Sequence, residues 1–333
     1  MRFLKPLMLL VILAILLASC NKDLNVNADW QDVTVVYALL NQEETIHYVK
    51  ITKAFLGPGD AMQFATVPDS SNYPDKLEVT LEEYNGSILL RTFLCDTTTI
   101  PNKDSGIFYY PDQLVYYTEG QLNENYLYKL NIRNKTSNKE ITSQTILVHD
   151  FTVEKPQASP QQITFKPGQN TEVKWIPAEG GKRYQLTIRF YYLETLISDP
   201  SQSELKYLYW LIFNDIKIDY PLPPEQPLPY SFYIGGEAFY AFVGSKIPVN
   251  PAVTRAARYF NYYFTVGAED LDTYMEVTEP SLSIVQERPP FSNIVNGIGL
   301  FSSRYINTID SLEPSKVTKD ELKVNPYTSQ LGF

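Results

Sequence analysis

Few side chains in this sequence belong to the types that make or break bonds. His47 and His149 are the only histidines, about a hundred residues apart, where a zinc centre wants clustered His or Cys. His149 adjoins Asp150, but neighbours on a strand face opposite ways, so the two cannot act as a base and its orienting carboxylate. Glu269, Asp270 and Asp272 offer oxygens. They lack the alternating acidic spacing and glycine of a calcium loop and read as a solvated loop. Gly297-Ile298-Gly299 lacks the third glycine and the βαβ setting of a dinucleotide fingerprint. It reads as a tight turn or bulge before a last strand. There is no Gly-x-x-x-x-Gly-Lys phosphate loop and no Gly-x-Ser-x-Gly elbow. Carboxylate pairs for glycoside hydrolysis are matched in space, and nothing in the sequence singles one out. The expectation is a non-enzyme with no catalytic residue, no metal and no cofactor.

Binding chemistry is better represented. The chain has 25 tyrosines, several in pairs: Tyr109-Tyr110, Tyr116-Tyr117, Tyr191-Tyr192 and Tyr262-Tyr263. On a strand, one member of each pair faces the core and the other faces out. Outward tyrosines are flat amphipathic platforms for sugar rings or a protein partner. Sheet packing alone explains any single pair, so the collective excess is the more informative signal. The net charge of −10 leaves no basic footprint for a nucleic-acid backbone. It also argues against docking on anionic headgroups.

These residues need elements to hold them, and the patterning is β. Residues 30–153 show short runs of strand formers. Val33 to Leu40 is one, and Thr45 to Thr52 alternates, with His47, Val49 and Ile51 on one face. Leu77 to Arg91 reads as a hairpin around Asn85-Gly86, a pair that tolerates positive φ at both positions of a type I′ turn. About seven strands separated by turn signals suggest an immunoglobulin-like sandwich. Cys95 falls in a strand-like run and reads as a buried structural thiol. Residues 154–160, proline-punctuated and polar, read as a linker. In residues 161–315, strands are expected at Ile163–Phe165, Thr171–Ile176 and Tyr184–Phe190. Tyr207 to Phe213 reads as a further buried strand, and Tyr259 to Val266 returns to strand. A helical insertion is expected near 235–258, with one helix from Gly236 to about Lys246 and another turn at Ala252–Arg258. Residues 316–333 read as a polar tail. The fold class is therefore mainly β, as two β-sandwiches.

Arg2 and Lys5, the apolar run Leu7 to Leu17 and the small residues before Cys20 make a secretory signal over residues 1–19. Leu17-Ala18-Ser19-Cys20 resembles the lipobox of bacterial lipoproteins. That resemblance implies a diacylglycerol thioether on Cys20 and cleavage just before it. With two or three chains the anchor is durable. Residues 20–29 then read as a polar tether. With Cys20 lipidated, Cys95 has no partner for an intramolecular disulfide.

Lys22-Asp23 partly resembles the signal that sends Bacteroidota lipoproteins to the cell surface. The strand ending in Trp175, a Pro/Gly-rich turn and the Tyr184-x-Leu-x-Ile run resemble the early strands of a fibronectin type III domain, whose tryptophan fills the space between two sheets. The closing segment Ser292-Asn293-Ile294 to Phe301 is similar to one in a large family of Bacteroidota envelope lipoproteins without an established activity. Asp96-Thr97-Thr98 and Asp310-Ser311-Leu312 resemble O-glycosylation acceptors of Bacteroidota envelope proteins, at Thr97 and Ser311. Together these resemblances imply an outer-membrane lipoprotein, surface-exposed, acting as a binding or interaction module. Its partner would be an envelope protein, such as a transporter complex, or an extracellular ligand. The alternatives are a glycan-binding accessory of a polysaccharide-uptake system and a structural envelope component.

Overall fold

The computed structural model describes residues 33–54, 66–101, 109, 112–157, 162–221, 225–279 and 290–333. The signal segment, Cys20 and the tether lie outside these residues. The chain is mainly β, in several packed sheets with few helices.

Strands β1 (Thr34–Leu40) and β2 (Ile46–Lys53) form a hairpin, followed by a single helical turn, α1 (Pro68–Ser71). Then come β3 (Glu78–Asn85), β4 (Ile88–Leu94), β5 (Asp96–Ile100), β6 (Gln113–Glu119), β7 (Leu127–Asn134) and β8 (Lys139–Ile146). They divide into β1-β2-β6-β5 and β4-β3-β7-β8. The alternating residues Val36, Val49, Ile51, Val79, Leu81, Leu130 and Ile132 share one apolar core between them. His47, Val49 and Ile51 point inward together, as their spacing requires. The β3–β4 turn is displaced by one residue from expectation. Asn85 pairs with Ile88, and Gly86, at φ 60°, opens the turn. One positive φ at the first turn position is the type II′ pattern rather than I′.

The second half continues with β9 (Val153–Lys155), β10 (Asn170–Trp175), β11 (Arg183–Leu196), β12 (Asp199–Lys217), β13 (Tyr230–Gly235), helix α2 (Gly236–Lys246) and β14 (Val253–Gly267). Helix α3 (Glu269–Thr278), β15 (Gly297–Leu312) and helix α4 (Lys316–Val324) complete it. A three-stranded sheet, β9-β10-β13, lies against β12-β11-β14-β15. Trp175 is fully buried between them, with Tyr184, Phe213 and Phe264 at ring-centre distances of 5.8, 5.7 and 5.7 Å. Helix α2 adds Phe239 to the same core, stacked on Phe165 at 4.7 Å.

Several expectations are corrected here. Glu154 and Lys155 of the expected linker belong to β9, paired with β10; residues 158–161 lie outside the described set. Ala252–Arg258 is not helical, because Val253 onward enters β14, whose pairing with β11 overrides local helix preference. Ile163–Phe165 forms no strand, only an isolated bridge from Ile163 to Pro314. Residues 316–333 are no loose tail. Ser315 caps α4 by accepting from the Thr318 amide at 3.3 Å, and Leu322 and Leu331 enter the second core.

The two halves are joined by β15. Its first part, Gly297 to Ser303, runs parallel to β1; its second, Arg304 to Leu312, runs antiparallel to β14. One strand thus makes the two four-stranded sheets into a single eight-stranded sheet, and Phe301 serves the first core while Tyr305 serves the second. It also covers the edge of β1, which would otherwise offer a row of unpaired amides. Gly297 and Gly299 lie inside this strand, not in a turn before it. At Gly299, φ is 121° and an added Cβ would stand 1.9 Å from the Val36 carbonyl oxygen. Only glycine fits that approach. Asn293 anchors the strand by donating from its side chain to the Phe301 carbonyl at 2.7 Å and accepting from the Phe301 amide at 3.0 Å.

Candidate functional site

The sheet β12-β11-β14 presents one face to its core and one to solvent. On β11, Leu186, Ile188, Phe190 and Tyr192 point inward, which turns Arg189 and Tyr191 out. β12 was expected to be buried, but it is the outer strand of its sheet. Leu208, Trp210 and Ile212 pack inward, while Tyr207 and Tyr209 remain 50% and 53% exposed. Register then sets the site. Arg189 lies opposite Tyr209 on β12 and Asn261 on β14, and Tyr191 lies opposite Tyr207 and Tyr259.

The outward rings form a continuous surface. Tyr191 stacks on Tyr259 at 4.4 Å and approaches Tyr207 at 5.6 Å; Tyr207 meets Tyr209 edge-on at 5.2 Å. The Arg189 guanidinium sits among them, 4.4 Å from the Tyr209 ring centre, 4.9 Å from Tyr263, 5.0 Å from Tyr207 and 5.7 Å from Tyr191. Each such contact is worth about 0.5–1 kcal/mol at an exposed site. The guanidinium also donates to the Tyr191 hydroxyl at 2.7 Å and to the Tyr209 hydroxyl. Its Nε is buried with no acceptor. A shallow depression of about 480 Å³ opens beside it, bordered by Tyr209, Leu211, Asn214 and Tyr263. This arrangement can stack on a flat ring and hold an acceptor.

The tyrosine pairs alternate as expected where they are described. Tyr116, Tyr192 and Tyr262 are buried, while Tyr117, Tyr191 and Tyr263 are less so. Tyr110 lies outside the described residues. The spacing singled out Tyr191 and Tyr263 but missed Arg189, Tyr207 and Tyr209. The signal was present in the i, i+2 repeat of Tyr207 and Tyr209, which places both on one face of a strand.

Other candidates serve the fold. Glu269, Asp270 and Asp272 lie in the first turn of α3, not in a solvated loop. Asp272 is buried against Arg183, at 2.6 Å, and Lys217, at 3.2 Å. Among the described residues, no group of three His, Cys, Asp or Glu is placed to hold a metal. Cys95 is buried, and burial pushes its thiol up to about 11, so it stays protonated and unreactive at neutral pH. Thr97 is half-buried on β5. Ser311 is exposed, in left-handed conformation at φ 59°, and its amide donates to the Asn261 side chain at 2.9 Å. It lies in β15 rather than in a flexible terminus.

His149 is partly exposed, 3.9 Å from Glu179. His47 is buried, with Nε2 2.8 Å from the Gly120 carbonyl oxygen and Nδ1 without a partner. Burial holds its pKa below the usual range, against the weaker pulls of Gly120 and Glu44. The unfolded chain therefore takes up this proton first. The contribution of His47 is fully present above about pH 6.5 and is lost as pH falls through its lower folded value. Urea midpoints measured from pH 7 to 5 should fall less steeply for His47→Gln than for the native chain; parallel slopes would assign the effect elsewhere.

No protein family matches this chain, and no curated protein does.

Proposed function

We propose that this protein is a non-enzymatic binding module of the bacterial outer membrane, held by lipid on Cys20, with the outward face of β11, β12 and β14 as its ligand surface. The observation that carries this reading is the tyrosine surface around Arg189, left open to solvent on an otherwise well-packed sheet. The architecture supports a display scaffold. The order β1-β2-β6-β5 against β4-β3-β7-β8 suits an immunoglobulin-like sandwich. So does Tyr128 near the start of β7, whose hydroxyl accepts from the Asn123 amide at 2.7 Å, in the manner of a tyrosine corner. The three-on-four second half, with Trp175 between its sheets, suits a fibronectin type III-like domain. The lipobox and the Asn293–Phe301 segment support membership of the Bacteroidota envelope family. Among the described residues no helix is long and apolar enough to cross a membrane, so this reading gives attachment to the lipid.

A second reading, a glycan-binding accessory lipoprotein of a polysaccharide-uptake system, gains from the same row of exposed tyrosines. Buried tyrosines would have weakened it.

The anchor is tested by Cys20→Ala. The variant should leave the membrane fraction while keeping the thermal transition of the native body. Continued incorporation of labelled fatty acid would refute the lipid assignment. Shaving intact cells with a protease, with a periplasmic protein as control, tests surface exposure: loss of the chain supports it, and full protection places the body on the periplasmic side.

A further inference from the structure

We propose that the tyrosine face recognises an acidic sugar, with the sugar's carboxylate on Arg189 and its ring stacked on the flanking tyrosines. This inference rests on the glycan reading of the site and deepens it.

The first observation is an unanswered charge. The chain carries 38 acidic against 28 basic residues, and several cations of the second half find carboxylates, although among the described residues the exposed Arg258 of β14 does not. Arg183 pairs with Asp272, Arg255 with Glu194, Lys206 with Glu194 and Lys182 with Asp219. Arg189 is in no ion pair among the described residues. Its neighbours are phenol rings and amides, none of which neutralises a guanidinium. A cation kept unpaired in an acidic protein, on an open face, is a site for an anion brought from outside.

The second observation is geometric. Arg189 has two hydrogen bonds to protein, both to tyrosine hydroxyls that also fix its plane. Each terminal nitrogen carries two hydrogens, so one on each is left for a ligand. Such a held, planar fork suits a carboxylate, and charge-assisted bonds of this kind are about twice as strong as neutral ones. Around it lie rings for the apolar C–H face of a pyranose, and the exposed Asn214 side chain for its hydroxyls. The depression of about 480 Å³ falls within the roughly 300–1,000 Å³ of small-ligand clefts.

Competing anions fit less well. A phosphodiester backbone needs a track of basic residues, and among the described residues Arg189 is the only cation bordering the depression. Extended peptides prefer a free strand edge, where their backbone can pair, and this site is centred on an inner strand, β11.

The test uses the full-length protein in detergent. It is titrated with galacturonate, glucuronate and mannuronate oligosaccharides and with their carboxyl-reduced counterparts, the neutral sugars in which each carboxylate is replaced by a hydroxymethyl group. At least one acidic oligosaccharide should bind about tenfold or more tightly than its reduced partner, as one charged hydrogen-bond pair provides. Arg189→Gln should abolish that difference, and Tyr209→Ala should weaken both members of the pair. Unchanged melting temperatures show that the variants fold. Equal binding of acidic and reduced sugars, indifferent to Arg189→Gln, overturns the acidic assignment and leaves the glycan reading standing. Failure of the native chain to bind any of these sugars overturns both. Displacement of a bound uronate by polyglutamate at equal charge concentration moves the site to an acidic protein partner and overturns the sugar assignment.

Discussion

Gly299→Ala should destabilise the protein by on the order of 4 kcal/mol and loosen both sandwiches together. Two penalties combine. The φ of 121° is a conformation that an L side chain resists, and the new methyl would lie 1.9 Å from the Val36 carbonyl oxygen. Val36 is fully buried in the central part of β1, so the backbone there has nowhere to retreat. Relief requires β15 to move off β1, which withdraws Phe301 from the first core and disturbs the pairing of Arg304 to Leu312 with β14. Gly86→Ala is the control. Gly86 also has positive φ, but an added Cβ meets nothing within 4 Å, so the cost should stay near 1 kcal/mol. Denaturant unfolding with hydrogen exchange at β1 and β14 measures both. A Gly299→Ala protein within about 1 kcal/mol of native stability would show that the parallel pairing does not hold the halves together.

Asp272→Asn should cost about 3–5 kcal/mol. Asp272 and Arg183 are each about 5% exposed, and their contact at 2.6 Å is made where water cannot substitute. The amide keeps the shape and removes the charge, leaving the guanidinium buried with only the half-exposed Glu279 carboxylate at 3.2 Å. The penalty comes from the stranded partner rather than from the value of the pair. Arg183→Met combined with Asp272→Leu should therefore recover much of the loss, and a double-mutant cycle measures the coupling. Losses that simply add would remove the basis for this account.

Local patterning carried much of this fold into view. Alternation located β1, β2 and β3, because one face of each is buried and the period of two is written in residue type; β4 is exposed along nearly its whole length and was located by the Asn85-Gly86 turn signal beside it. It could not reveal the parallel β1–β15 pairing, which depends on residues at opposite ends of the chain. For the same reason β12 looked buried: its apolar content is high on both faces, and only its outer position leaves Leu205, Tyr207 and Leu211 in solvent. The C-terminal helix escaped notice because its apolar residues are few, and Leu322 is defined as core by what it meets. At the site, tyrosine abundance pointed to platforms. The central cation did not stand out, since a single arginine among 28 basic residues acquires meaning only from the absence of a carboxylate beside it.

The shared strand also sets a timetable. Thr34 pairs with Gly297, about 260 residues further along the chain. Contacts this distant carry a large loop-closure entropy and form slowly. Whether the chain emerges from the ribosome or, under the proposed export, from a membrane channel with its N-terminus leading, β1 must wait, half-paired with β2, until nearly all of the polypeptide has arrived. The order of synthesis and the order of completion are therefore opposed. The N-terminal strand, which the proposed anchor would hold nearest the membrane, is the last to be locked, and the chain stays threadable until the tail that fastens it has been delivered.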